Sequence, residues 1–364
     1  MKRFALFFTL LALTVSAQAT ETVYQGESTL WTDTVWSDTV LIDGIVTVAP
    51  NITLTIQPGT TIRFTRNDTN GDDIGENELF IQGRLLAQGR RDAPILFTSA
   101  ADHPRPGDWG ALNMMASQEG NRIEFCRVEY AYRGFHAHFA GAQLVDSIFR
   151  FNRRGAQFQE SQVSIERCRF EQNLNGLQFR DSTVTLRDSV ISGGYWGLRS
   201  VYSTVTMSGN RIEKNRINGV NFRDSTLDMT ANQIVDNRRG LYLQRSTGRV
   251  DRNVLSGNSE YGLFLEAGEV VVQGNRINGN GRGGLRVIDA NLDLVGNDLS
   301  GNDLYALVND GSSNLIITGN AWGTVDPALL AGLIRDGADR SGCGQVQLLN
   351  PLAPSTHPEF VNPR

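Results

Sequence analysis

Glu160 and Asp181 stand 21 residues apart, each closing a short run of amide and guanidinium side chains: Gln157, Gln159, Glu160 and then Gln178, Arg180, Asp181. If one turn of chain separates them, their carboxyls lie roughly 5 Å apart, the separation of a retaining glycoside hydrolase. Mutual repulsion at that range raises one pKa, as a general acid requires. The competing reading is a surface ion-pair network, because Arg180 and Arg223 flank the pair. His136 and His138, two apart, point the same way from a strand and are placed to share a metal, but no third ligand at suitable spacing accompanies them. The plainer expectation is two exposed side chains. In "NDTNGDDIGENE" (67–78), Asp68, Asn70 and Asp72 have the one-three-five spacing of calcium ligands, and Glu76 or Glu78 would complete the shell. Asp73 replaces the turn glycine and Leu79 the bidentate glutamate of an EF-hand loop, so a solvated acidic turn competes with calcium. No other cofactor is expected.

The elements that must position these groups repeat. Gly134, Gly155, Gly176, Gly197, Gly219, Gly240, Gly262 and Gly284, then Ala306, recur every 21 or 22 residues. Eight or nine residues before each comes Cys126, Ser147, Cys168, Ser189, Asn210, Asn232, Asn253, Asn275 or Asn297. A second Asn precedes most of the glycines by three or four positions, from Asn152 to Asn302. A fixed period of this size signals a solenoid. Within each unit apolar residues alternate, as in Leu177/Phe179 and Val184/Leu186, with a third centre at Ile191. Period two means strands with one face inward. Gly and Asn are expected at the corners for their tolerance of left-handed backbone, and the Asn columns to bond from coil to coil.

The coil "N-x-[I/F]-x-x-N-x-x-G-[L/V]-x-[F/L]" from Cys126 to Ile317 resembles the right-handed parallel β-helix of the pectin-lyase-like superfamily, a likeness extending over about 40–350. It implies an all-β solenoid of about a dozen coils, roughly 60 Å long at about 4.8 Å per coil. Irregular opening coils are expected over 41–125, with excursions at 66–78 and 100–121, then regular coils over 126–320. Caps are expected at 20–40 and within 321–364, where Asp326 would N-cap a helix starting at Pro327 and Gly337 would end it. The Gly-His-Gly, Arg-Ile-Lys and Asp-Pro-His stretches of the superfamily's polygalacturonase-like and alginate-epimerase-like enzymes are missing.

Residues 1–19 have the basic start (Lys2, Arg3), apolar run and Ala-Gln-Ala site of a secretory signal. Its removal takes the net charge from −5 to −7. A mildly acidic chain is a poor partner for nucleic acid, and no transmembrane segment is expected. Cys126 and Cys168, two coils apart, would lie about 9–10 Å from each other, beyond disulfide reach. The outward rows beside the glycines hold His136, Gln157, Gln178, Arg199 and Tyr242, then His138, Gln159, Arg180 and Arg223, with Tyr202 at the corner. Amides, guanidiniums and rings stacked this way suit sugars. The expectation is therefore an exported, non-catalytic protein binding a polysaccharide or other cell-envelope component. A lyase or hydrolase at Glu160/Asp181 is the first alternative, and a periplasmic metal-handling accessory the second. Oligomeric state is left open.

Overall fold

The computed structural model describes residues 21–352; the expected signal peptide and the end of the tail lie outside them. The chain winds as an all-β, right-handed parallel solenoid of about thirteen turns. Each regular turn has three strands, here A, B and C, as in Asn175–Arg180, Thr183–Arg187 and Val190–Ser192. Each pairs in parallel with its counterpart one turn on: Gln178 with Arg199, Val184 with Val205, and Ile191 with Ile212. Gly176 lies against Gly197 on the neighbouring turn, as the sequence period requires.

The alternation places Leu177, Phe179, Val184, Leu186 and Ile191 of one coil inside, nearly sealed from solvent. Like residues then stack along the axis, Phe149 on Phe170 with centroids 4.9 Å apart. Two columns of buried asparagines run beside this core. In each, an amide Nδ2 donates to the next coil's Oδ1, which also accepts the backbone N–H: Asn215 to Asn237 at 3.0 Å, Asn210 to Asn232 at 2.8 Å. A third column, Ser161–Ser182–Ser203–Ser225–Ser246, accepts backbone N–H groups in the same way; sequence inspection missed it. The buried polar groups of these three columns are thus paired with their own repeats.

The corner expectation needs correcting. The left-handed positions are held largely by other residues: Phe139, Glu160, Asp181, Tyr202 and Asp224 have φ between 48° and 52°. The register glycines do not have positive φ. They are glycine because a Cβ at Gly176 would sit 2.5 Å from Gly197 O and 2.6 Å from an Ile191 methyl. Close stacking, not backbone freedom, selects them.

Residues expected as the N-terminal cap form strand: Glu21–Leu30 pairs in register with Thr39–Val48. The helix Pro327–Leu333 forms as expected at its start, where Asp326 accepts from the N–H groups of Ala328 and Leu329. It does not run to Gly337. Ile334 turns extended to pair with Leu307, and Val346–Leu349 pairs with Leu315–Thr318. The helix is therefore a corner insertion before a last coil and does not terminate the rod. Cys126, Cys168 and Cys343 are free, the first two buried.

Candidate functional site

The outward surface of the A strands carries the expected rows in continuous register. Asn113, His136, Gln157, Gln178, Arg199, Asn221, Tyr242, Phe264 and Arg286 stack rung on rung. Beside them run His138, Gln159, Arg180, Val201 and Arg223. Gln157, Gln159, Gln178, Arg180 and Arg199 border a shallow hollow of 140 Å³. Among the described residues the side-chain amides of Gln159 and Gln178 have no hydrogen-bond partner, and the Arg199 guanidinium meets only the ring of Trp196, 5.5 Å from its centre.

The corner groups behave differently. Glu160 and Asp181 do occupy adjacent rungs, but Arg180 donates to Asp181 at 2.9 Å, and Glu160 lies 3.7 Å from His138 Nε2. Arg223 and Arg245 both reach Asp224. The guanidiniums expected to bind ligand at Arg180 and Arg223 are thus occupied by acidic neighbours. Tyr202 is exposed at its corner, whereas Tyr242 stacks on Phe264 at 4.4 Å and donates its hydroxyl to Glu266. Burial and the Glu266 carboxylate push the Tyr242 pKa up. A wider hollow of 740 Å³ lies beyond the corner, lined by Phe139, Glu160, Thr183 and Thr185 among others. It brings together fewer charged groups than the A face, where the site is placed.

At the N-terminal end of the A face the structure assembles a polar cluster that the sequence rows only grazed. His136 is not exposed as expected: it is 8% exposed, and its Nδ1 lies 2.8 Å from Asn113 Oδ1. Asn113 Nδ2 donates to both Glu78 oxygens at 3.1 and 3.2 Å. With the amide nitrogen committed to Glu78, Asn113 Oδ1 must accept, so the proton of neutral His136 sits on Nδ1 and Nε2 is left bare. Burial, and then the charges of Arg133, His138 and Arg154, lower the His136 pKa to about 3. Burial raises Glu78, against the Asn113 hydrogen bond and the Arg133 charge. Between Arg133 and His136 the strand holds one residue more than its partner between Ala111 and Asn113, a bulge of the kind that re-aims side chains.

Asn70, Asp72 and Glu76 of the loop 66–78 form one wall of a 410 Å³ hollow also lined by Glu78, Tyr132 and Arg133. The loop's expected calcium ligands are largely engaged with the loop itself. Asp68 accepts from the N–H groups of Gly71 and Asp73, Asn70 from that of Asp72, Asp72 from that of Ile74, and Glu76 from that of Thr69. Glu78 belongs instead to the strand Glu78–Ile81 and to Asn113. Arg66 and Arg153 tie Asp73 to the body of the solenoid. Among the described residues no three His, Cys, Asp or Glu side chains group as a metal site, and no helix is long and apolar enough to cross a membrane.

Residues 110–226 match the family described as right handed beta helix region, and residues 28–144 the pectate-lyase like beta helix domain. Residues 182–329 match the family described as periplasmic copper-binding protein (NosD). Among solved structures, a double mutant of a periplasmic alginate epimerase has a TM-score of 0.55 at 14% identity, over 87% of this chain and 77% of that one. A single mutant of it gives 0.53 at 13%, over 86% and 78%. The A-module of the mannuronan C-5 epimerase of Azotobacter vinelandii gives 0.49 at 16%, over 83% and 88%. At such identities the likeness is one of fold. No curated protein matches the chain.

Proposed function

From the premise that the chain is a right-handed parallel β-helix protein with pectate-lyase-like coils, we propose that it is an exported protein that binds a polysaccharide along its A face. The observation that carries this reading is the strip Gln159, Gln178 and Arg199 with the Trp196 ring: planar side-chain donors and acceptors without hydrogen-bond partners among the described residues, on rungs spaced by the solenoid. Satisfied surface groups have little to offer a ligand, whereas unpartnered ones on a rigid sheet lose little freedom on binding. Trp196 supplies an apolar ring for a sugar face. The alginate epimerases that share the fold add an association, not a mechanism.

Glycan-array binding of the chain from Thr20 onward tests this. A Gln178→Ala/Arg199→Ala double variant should lose binding at least about tenfold, while Arg180→Gln/Arg223→Gln should retain it. Absence of any glycan ligand, or indifference to the first double variant, would overturn the reading. Amino-terminal sequencing of protein from fractionated cells checks export, with Thr20 as the expected first residue.

The match to a copper-binding family supports metal handling as a second reading. Within the matched coils, Met207 and Met229 are fully buried in the core, which withholds these soft ligands from solution and keeps that reading second.

A further inference from the structure

The N-terminal end of the rod presents a long free edge. Among the described residues Glu21–Leu30 pairs with Thr39–Val48 and with no other strand, so one side of a ten-residue strand is open. In a parallel ladder alternate residues bond to alternate neighbours. Leu30 O accepts from the Ala49 N–H, which assigns the even-numbered residues to the existing ladder. The N–H and C=O groups of Val23, Gln25, Glu27 and Thr29 therefore point off the end of the rod, where an open edge is a template for a further strand. The core beneath is already roofed: Trp36 is 3% exposed, and its Nε1 donates to the Tyr24 hydroxyl at 3.0 Å. What lacks a partner here is backbone.

The shape of this edge selects what can lie on it. The strand bends at Gly26, which has φ 66° and stacks on Gly44. Gly44 is where Thr39–Val48 passes from its pairing with Thr61–Phe64 to its pairing with Glu78–Ile81. A strand laid on the edge must bend at the same point, and a second copy of the chain does so when a two-fold axis passes through Gly26. The two strands then run antiparallel, with Gln25 opposite the partner's Glu27, Val23 opposite the partner's Thr29 and Tyr24 opposite the partner's Ser28. Odd-numbered residues meet odd-numbered ones, so the free N–H and C=O groups face each other, and no like charges stand directly opposite. Gln25 and Glu27 are exposed, and their side chains have no hydrogen-bond partner among the described residues. They meet as amide and carboxylate on both sides of the axis. Such an axis also preserves the right-handed winding, so the two end turns keep a constant spacing along the paired strands.

We propose that the chain forms a coaxial dimer, in which Glu21–Leu30 pairs antiparallel with its own copy across a two-fold axis at Gly26. The proposal is independent of the glycan reading. Val23, 48% exposed in the single chain, packs beside the partner's Thr29. The contact covers two sides of the rod. On the third, the rise of the coil holds Thr34–Trp36 of the two copies about 10 Å apart, so the contact is a reversible one. At the opposite end the last strands, Ile334–Arg335 and Val346–Leu349, have two and four residues. They offer no continuous edge of matching length, so head-to-tail growth is disfavoured and assembly closes at two chains.

The test uses the chain from Thr20 onward. Analytical ultracentrifugation should show a monomer–dimer equilibrium, and small-angle scattering of the dimer a longest dimension close to twice that of the monomer. Val23→Pro removes an edge N–H without taking one from the ladder to Thr39–Val48, and should weaken dimerisation at least about tenfold. Gln25→Lys, set opposite the partner's Glu27, should tighten the dimer, and Gln25→Glu at the same place should loosen it. These two charge variants keep the proposal open to refutation even where the proline disturbs the first turn, and circular dichroism checks that each variant is folded. A parent that stays monomeric at every concentration, or a dimer with side-by-side dimensions, would overturn the proposal. So would a folded Val23→Pro chain that dimerises as well as the parent, or Gln25→Lys and Gln25→Glu shifting the equilibrium the same way.

Discussion

At the C-terminal end of the A face, Arg238 and Arg239 close on Glu260 at 3.0 and 2.7 Å, and Arg286 closes on Asp310 at 2.8 Å. Against burial, the two arginines hold the Glu260 carboxyl below its usual range. At the N-terminal end, Arg133 and Arg154 close on the Gln157 amide instead. The two ends share a backbone, a register and an arginine-rich composition. They differ in whether charge is balanced within the protein. At the first end the arginines are ion-paired within the protein; at the second, Arg133 and Arg154 form no ion pair among the described residues and lie near the buried His136 imidazole, with Asp72, Glu76 and Glu78 lining the adjoining hollow. A regular solenoid makes the contrast legible, because geometry is nearly constant from rung to rung and only side-chain identity varies.

The largest effect expected of this contrast is on pH-dependent stability. His136 has a folded pKa of about 3 against an ordinary value of 6.5. As pH falls, the unfolded chain takes up this proton first, so stability present above pH 6.5 is lost between 6.5 and 3. Urea unfolding should show a His136→Gln variant losing less stability than the parent across that window, by up to about 5 kcal/mol. Equal slopes for the two would mean that the imidazole is not held neutral.

Breaking the balanced end comes next. Glu260→Gln leaves Arg238 and Arg239 around a neutral amide, copying the other end, and should destabilise by about 1–2 kcal/mol in denaturant titrations. It should also create a new, weak affinity for small carboxylates. If none appears, two arginines around a neutral amide are not by themselves enough to draw an anion. Between the two ends, Ser200 interrupts an aromatic column, with Phe179 and Phe222 6.5 Å apart by centroid. Its hydroxyl is buried without a partner. Ser200→Ala should raise stability by about 1 kcal/mol, with glycan affinity unchanged if the strip is read correctly. The smallest effect belongs to the exposed corner pairs: Arg180→Gln should change the melting free energy by less than about 0.5 kcal/mol.

How far the sequence could be read follows from the range of each interaction. The Gly176/Gly197 stacking, the Asn columns and the buried residues of each strand were all visible, because each depends on its own coil and the next. The reason for the glycines was not visible, since a missing Cβ looks the same whether it relieves a turn or a close approach. His136 was misjudged as exposed for a related reason. Alternation points it outward, but the bulge after Arg133 and its bond to Asn113, on another coil, accompany its burial. The helix end at Leu333 was misplaced because Ile334 pairs with Leu307, a partner that no local stopping signal announces.

Taken alone, the amino-acid order determined a coil of 21–22 residues, its apolar interior and its stacked outward rows, since period-two alternation and side-chain size act locally and repeat. Only the folded chain decided which arginines keep a counter-ion and which do not. That choice turns on contacts such as Arg153 with Asp73, 80 residues apart in sequence, and Asn113 with Glu78, 35 apart. Electrostatic balance is set by every charge within reach in space, and winding brings distant segments within that reach.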